Sequence, residues 1–133
     1  MNTTKYVIAD HWWTAGECQN HPNCLYIFGD NDLKVGCRGQ AIIRDQPNAL
    51  GLPTKKVPTL QKSAFYSDLE YEDNVHKIEQ ALNQIISLSH LYEKVIFPKD
   101  GLGTGLAQLP QKAPRTHQYL LRRLNELFDL KWM

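Results

Sequence analysis

The chain has 133 residues, 42% of them hydrophobic and 22% charged, with a formal net charge of +1. That length fits one domain with a single core over residues 1–133. A balance so near neutrality makes no case for a nucleic-acid partner. No apolar run is long enough to span a bilayer, and the first residues lack the apolar stretch of a secretory signal. Three cysteines without a regular framework fit a reducing compartment, so the cytoplasm is the expected location.

In chain order, "KYVIA" (5–9) reads as the first strand, followed by the loop "HWWTAGECQNHPN" with at most a helical turn. Within it Cys18, His21 and Cys24, with His11 upstream, offer four metal ligands. Their C-x-x-H-x-x-C spacing is not a usual zinc knuckle, so the expectation is a polar loop leading into a strand that buries Cys24. "CLYIFGDN" (24–31) is a continuous apolar run closed by turn residues, which reads as a strand buried on both faces. "DLKVGCRGQ" (32–40) is a glycine-bearing loop, and "QAIIRDQ" opens a short helix. "ALGLPTK" (49–55) is a further strand, stopped at Pro53 or soon after. Residues 56–72 read as irregular. From Asp73 to Leu91, Val75, Ile78, Leu82, Ile85 and Leu88 or Ser89 fall at helical spacing, with Asp73 or Asn74 as the cap. "KVIFP" (94–98) is another buried strand. After a glycine-rich loop, Pro114 suits a helix's first turn, and Leu120, Leu121, Leu124, Leu127 and Phe128 form its apolar stripe. His76, His90 and His117 fall on the predicted helices and are assigned no chemistry.

Strands alternating with helices require crossover connections and hence a largely parallel sheet covered on its faces. Ligands of such sheets bind beyond the carboxyl ends of the strands. Three predicted strands end in polar or glycine-bearing loops: Gly29-Asp30-Asn31, Pro53-Thr54-Lys55 and Lys99-Asp100-Gly101. If the strands are neighbours, the loops converge on one cleft.

The loop "GLGTGLAQL" carries Gly101, Gly103 and Gly105 with Thr104 between them, a pattern whose exposed amides make an anion nest suited to a diphosphate. It is not a Walker loop, lacking the Lys-Ser or Lys-Thr after the last glycine, and it is not in the first strand-to-helix turn of a dinucleotide fold. The alternative is a tight loop whose glycines supply positive φ angles. Asp30, Asn31 and Asp32 have two readings as well. They can bond sugar hydroxyls or activate water, or they terminate the strand through Asx turns. Lys55 adds charge beside a phosphate site or acts as a nucleophile or base. Phe65 and Tyr66 either stack on a flat ring or anchor their loop to the core. No metal and no cofactor is called for.

With these segments placed, the pattern resembles the macrodomain family, which binds ADP-ribose and its derivatives. "YIFGDN" with "GCRGQAI" is similar to that family's strand ending in asparagine and the glycine loop after it. "LGLPTK" is similar to its next strand, and "VIFPKDGLGTGLAQL" to its late strand and diphosphate loop, an order matching across residues 24 to 128. Small bacterial and phage proteins with a GDN…GQA…PTK…DGxGTG pattern are also similar. The resemblance implies an α/β fold, a three-layer macrodomain-like sandwich with a mostly parallel central sheet and helices on both faces. It implies Asn31 near the distal ribose, framed by Gly36 and Gly39, with Gln40 and Thr54 beside it. The amides of Gly103, Thr104 and Gly105 would meet the diphosphate, flanked by Gly101 and Leu106. A hydrolytic branch uses a lysine that Lys55 matches and an aspartate where this chain has Ala107, so hydrolysis would need Asp30 or Asp100 as substitute. Asp10 is the nearest equivalent of the adenine-contacting aspartate.

Three functions follow as expectations. One is binding, with hydrolysis at the distal ribose through Asp30, Lys55 or Asp100. Another is non-catalytic sequestration of a cyclic nucleotide signal, favoured by Ala107. The last is an interaction protein with a structural glycine loop, whose Trp12-Trp13 pair and terminal "DLKWM" make a homo-oligomer contact.

Overall fold

The computed structural model describes residues 3–132. Strands β1 (Lys5–Ile8), β2 (Cys24–Asn31), β3 (Ala49–Lys55) and β4 (Lys94–Phe97) form one sheet in the order β1-β4-β2-β3. Every neighbouring pair is parallel. "CLYIFGDN" and "ALGLPTK" are strands over their whole predicted lengths, and β1 and β4 each stop one residue early. β3 runs on through Pro53, which it tolerates because it lies at the edge of the sheet. Beyond it the returning chain bridges Phe65 to Lys55, and the Lys56 N–H bonds the Ala64 carbonyl at 2.8 Å.

The apolar run of β2 divides its side chains between two clusters. Leu25 and Ile27 join Leu52, Val95 and Phe97 beneath helices α2 (Tyr71–Ser89) and α4 (Pro114–Phe128), the latter preceded by the short helix α3 (Leu109–Lys112). Tyr26 and Phe28 join Ala9, Trp13, Cys18 and Ile43 near helix α1 (Ala15–Asn20) and a 3-10 turn at Gly39–Ile43. Period-2 alternation in a strand buried on both sides accounts for both sets. Each fully buried large apolar side chain contributes about 1.5–3 kcal/mol relative to exposure.

Helix α2 begins two residues before its predicted start, and neither Asp73 nor Asn74 caps it. A 3-10 turn at Asp68–Glu70, capped by Ser67, runs straight into the helix and sets its start. Asn74 is instead buried and donates to the Ser67 carbonyl at 2.9 Å and to Thr116 Oγ1 at 3.1 Å. Pro114 opens α4 as predicted. The first amides of α4 are held from a distance: the Asp68 carboxylate accepts from Arg115 N at 2.9 Å and Thr116 N at 3.0 Å. Burial alone would raise the Asp68 pKa, but these N–H bonds outweigh it and hold the group below the ordinary carboxylate range. In the α4 stripe Leu120, Leu124 and Phe128 are buried, while Leu121 lies on the exposed flank. No described helix is long and apolar enough to cross a membrane.

Candidate functional site

The sheet order sets the carboxyl ends of β4, β2 and β3 side by side, so the three loops that follow them do converge. They enclose a cavity of about 620 Å³ that every nominated site residue lines except Gly101.

The glycine loop supplies its amides. Gly101 N–H bonds the Pro98 carbonyl at 3.1 Å, and the Gly103 carbonyl accepts from Leu109 N at 2.8 Å. The N–H groups from Leu102 through Ala107 donate to no acceptor among the described residues. Gly103 is required by the fold: its φ is +79°, and a Cβ there would lie 2.9 Å from two side-chain atoms of Leu109. Gly105 is not so required. Its φ lies outside the left-handed region and a Cβ would meet nothing within 4 Å. Its lack of a side chain keeps the cavity wall open rather than satisfying a turn.

Several motif residues spend their polar atoms on the protein. Asp30, nominated to activate water, is 7% exposed at its side chain and forms a two-point ion pair with Arg44, at 2.6 and 3.0 Å. It also accepts from the Asn31 amide at 2.7 Å. Its carboxylate lies across β3 where the residue is Gly51, whose Cβ would stand 2.4 Å from Asp30 Oδ2. Arg44 in turn packs over the Phe28 ring and donates to the Gly36 carbonyl at 2.7 Å. The Asp30–Arg44 pair is therefore a brace for the loop carrying Gly36 and Gly39, and Asp30 has no oxygen free to serve as a base.

Gln40, nominated as a ligand contact, ties two strand ends together. Its Oε1 accepts from Gly29 N at 2.8 Å and its Nε2 donates to the Gly101 carbonyl at 2.8 Å. The latter bond keeps Gly101 out of the cavity wall. Asn31 closes its own loop, with Nδ2 donating to the Val35 carbonyl at 2.8 Å and Oδ1 accepting from Leu33 N at 3.1 Å. Thr54 is buried and donates to the Asp30 carbonyl at 3.4 Å, and Thr104 donates to the Asp100 carbonyl at 2.7 Å. Asp100 and Leu106 remain exposed on the wall.

Lys55 differs from all of these. It is only 6% exposed, yet among the described residues its ammonium has neither a carboxylate nor a hydrogen-bond partner. Its ammonium sits 4.9 Å from the centre of the Phe65 ring, which Lys112 approaches at 5.0 Å. Burial lowers its pKa, because nothing nearby offsets the desolvation of the charge. Phe65 and Tyr66 are core anchors: both are buried, and the Tyr66 hydroxyl donates to Asp32 at 2.5 Å. The other Asp32 oxygen takes Lys77 at 2.8 Å, so Asp30 and Asp32 do not share a metal. Among the described residues no group of three His, Cys, Asp or Glu side chains could hold one. His11 is bound between Asp10 and Glu17, and Asp10 lies outside the cavity.

Trp12 lines the cavity with 63% of its surface exposed, and sequence reasoning had placed it only in an oligomer contact. Its neighbour Trp13 is buried, edge-on to Tyr26, and donates to the Gln40 carbonyl. The pair is thus not a joint surface patch. Nor do the described apolar residues of the terminal segment form an exposed patch: Leu130 is buried and the half-buried Trp132 donates through Nε1 to the Pro98 carbonyl at 2.8 Å, while Met133 lies outside the described residues. Trp12 belongs to no motif. Its role depends on β1 pairing with β4, which only the strand order reveals.

Residues 8–123 match a family of unknown function, DUF7831, and the chain belongs to that family. No curated protein and no solved structure matches the chain.

Proposed function

We propose that this protein binds ADP-ribose or an ADP-ribose-derived nucleotide in the cavity at the carboxyl ends of the strands. The carrying observation is the unbroken run of uncommitted amides from Gly103 to Ala107 on the wall of that cavity. Such a run is a nest for an anion, and a diphosphate has the length and charge to occupy several amides at once. Lys55 supports the same reading, since it lines the cavity with a largely buried side chain whose ammonium no carboxylate of the described residues neutralises. The cavity's size is that of a small-molecule site. A parallel sheet with its cleft at the strand ends agrees with the macrodomain-like sandwich that the motifs resemble.

Within this reading, binding without turnover is favoured. Ala107 stands where the hydrolytic branch has its aspartate, and Asp30 is committed to Arg44. Asp100 is the one nominated carboxylate left for water activation. The purely structural reading of the glycine loop is disfavoured by Gly105, which neither φ nor crowding demands.

The test is to incubate the protein with ADP-ribose, cyclic ADP-ribose and an ADP-ribosylated peptide, recording melting temperature and the mass of all recovered ligand. The expected result is a higher melting temperature with ligand mass unchanged. At a hundredfold excess over Kd the stabilisation is about 2.7 kcal/mol. A changed mass that disappears in Asp100→Ala would establish hydrolysis instead. Absence of any shift with every nucleotide would remove the proposal.

A further inference from the structure

We infer that the base end of the ligand is held by stacking on Trp12 and is not read along its hydrogen-bonding edge, so that the site selects a diphosphate joined to any flat ring. This rests on the nucleotide reading above and narrows it to a ligand class.

The argument is an inventory of what the cavity has left to offer. Asp30 is closed by Arg44, Asn31 by its own loop, and Gln40 by Gly29 and Gly101. The Thr54 and Thr104 hydroxyls donate to carbonyls of the protein. The amide side chains and hydroxyl protons able to read a base edge are therefore consumed in building the site, which leaves as side-chain acceptors the Thr104 hydroxyl oxygen and the Asp100 carboxylate, both exposed to solvent. The uncommitted groups are loop amides and two cations without carboxylate partners, Lys55 and Arg38. All of them recognise negative charge.

The remaining large surface is the Trp12 indole. It lies in the segment after β1, an outer strand beside β4 and its amide loop, whereas Lys55 closes β3, the other outer strand, and both line the cavity. The segment carrying Trp12 is pinned immediately after it. Trp13 is buried and bonded to Gln40, and Thr14 caps α1 by accepting from Glu17 N at 3.2 Å. An exposed indole on a fixed backbone is a stacking platform. Stacking is tolerant of base identity because every base presents a π-face. Charge recognition and an aromatic face in one cavity together specify a nucleoside diphosphate without specifying its base.

The experiment titrates ADP, IDP, GDP and inorganic pyrophosphate into the wild-type protein, Trp12→Phe and Trp12→Ala, by calorimetry and by tryptophan fluorescence. ADP and IDP differ at the amine of the base, which an edge-reading site would detect. The expected result is that the three nucleotides bind within about threefold of one another and each about tenfold more tightly than pyrophosphate. Trp12→Phe keeps most of that advantage, while Trp12→Ala reduces every nucleotide to the pyrophosphate level with melting temperature unchanged. Fluorescence quenching disappears in both variants. A preference of tenfold or more for ADP over IDP and GDP would overturn the inference and leave the nucleotide reading standing, as would a Trp12→Ala protein that binds nucleotides normally. Failure of pyrophosphate and every nucleotide to bind would overturn both.

Discussion

Replacing Gly103 and Gly105 separately by valine distinguishes a ligand site from a structural loop, because the two positions are not equivalent. At Gly103 an added Cβ would stand 2.9 Å from both Leu109 Cβ and Leu109 Cδ2, and 3.2 Å from Thr54 Cβ, on a backbone with φ +79°. Left-handed strain costs about 1–2 kcal/mol for a residue with a Cβ, and overpacking adds about 1–3 kcal/mol. Gly103→Val is therefore destabilised by about 2–5 kcal/mol, and weak binding by it says nothing of a ligand. At Gly105 neither cost arises, since the new side chain enters open space at a residue lining the cavity. Gly105→Val is expected to stay within about 1 kcal/mol of the wild type. Its affinity for ADP-ribose and for pyrophosphate should fall at least tenfold, because branched carbons occlude the amides on either side. Urea unfolding gives the first quantity and calorimetric titration the second. A Gly105→Val protein with undiminished affinity, or one losing stability in parallel with binding, would refute the reasoning.

Asp30→Asn removes one partner of a buried ion pair and leaves Arg44 uncompensated, so unfolding in urea without ligand should show a loss of about 3 kcal/mol. Were Asp30 instead a catalytic base, stability would hardly change. Lys55→Met replaces a largely buried lysine, whose charge burial disfavours, by an apolar side chain of similar length, so it should raise the ligand-free melting temperature, with a gain of about 0.5–2 kcal/mol, while weakening pyrophosphate binding. Burial depresses the His117 pKa, so the folded chain binds fewer protons than the unfolded chain. Its contribution to stability is therefore complete above the unfolded pKa of about 6.5 and diminishes as pH falls through and below it. His11, raised by Asp10 and Glu17, has the opposite slope. The measurement is accordingly the difference in melting temperature between wild type and His117→Gln from pH 8 to 5, which should narrow on the acid side.

Strand β2 could be read to the residue because it is buried on both faces, which writes an uninterrupted apolar run. Helix starts were less legible. Asp73 and Asn74 are good capping residues by type, but the turn at Asp68–Glu70 enters α2 without a break, and Asn74 is drawn into the junction with Ser67 and Thr116. The cap of α4 could not be read at all, because Asp68 lies far from it in sequence and meets it only through the fold.

The site was legible as a set of residue types and not as a division of labour. A motif of Asp30, Asn31 and Gln40 looks the same in sequence whether those side chains face a ligand or one another. The outcome turns on partners the motif does not contain: Arg44 for Asp30, and Gly29 and Gly101 for Gln40. Gly51 makes the point most sharply. It sits in a strand, where glycine is unfavourable, and its place is explained only by the Asp30 carboxylate lying over it from the next strand. Substituting alanine there would displace that carboxylate from Arg44, and with it the loop that Arg44 holds at Gly36. Commitment of Asp30, Asn31 and Gln40 to the frame leaves the loop amides, Lys55 and Arg38 uncommitted on the cavity wall, with Asp100 an exposed carboxylate beside them. Idle donors that outnumber the idle acceptors favour a ligand that carries negative charge.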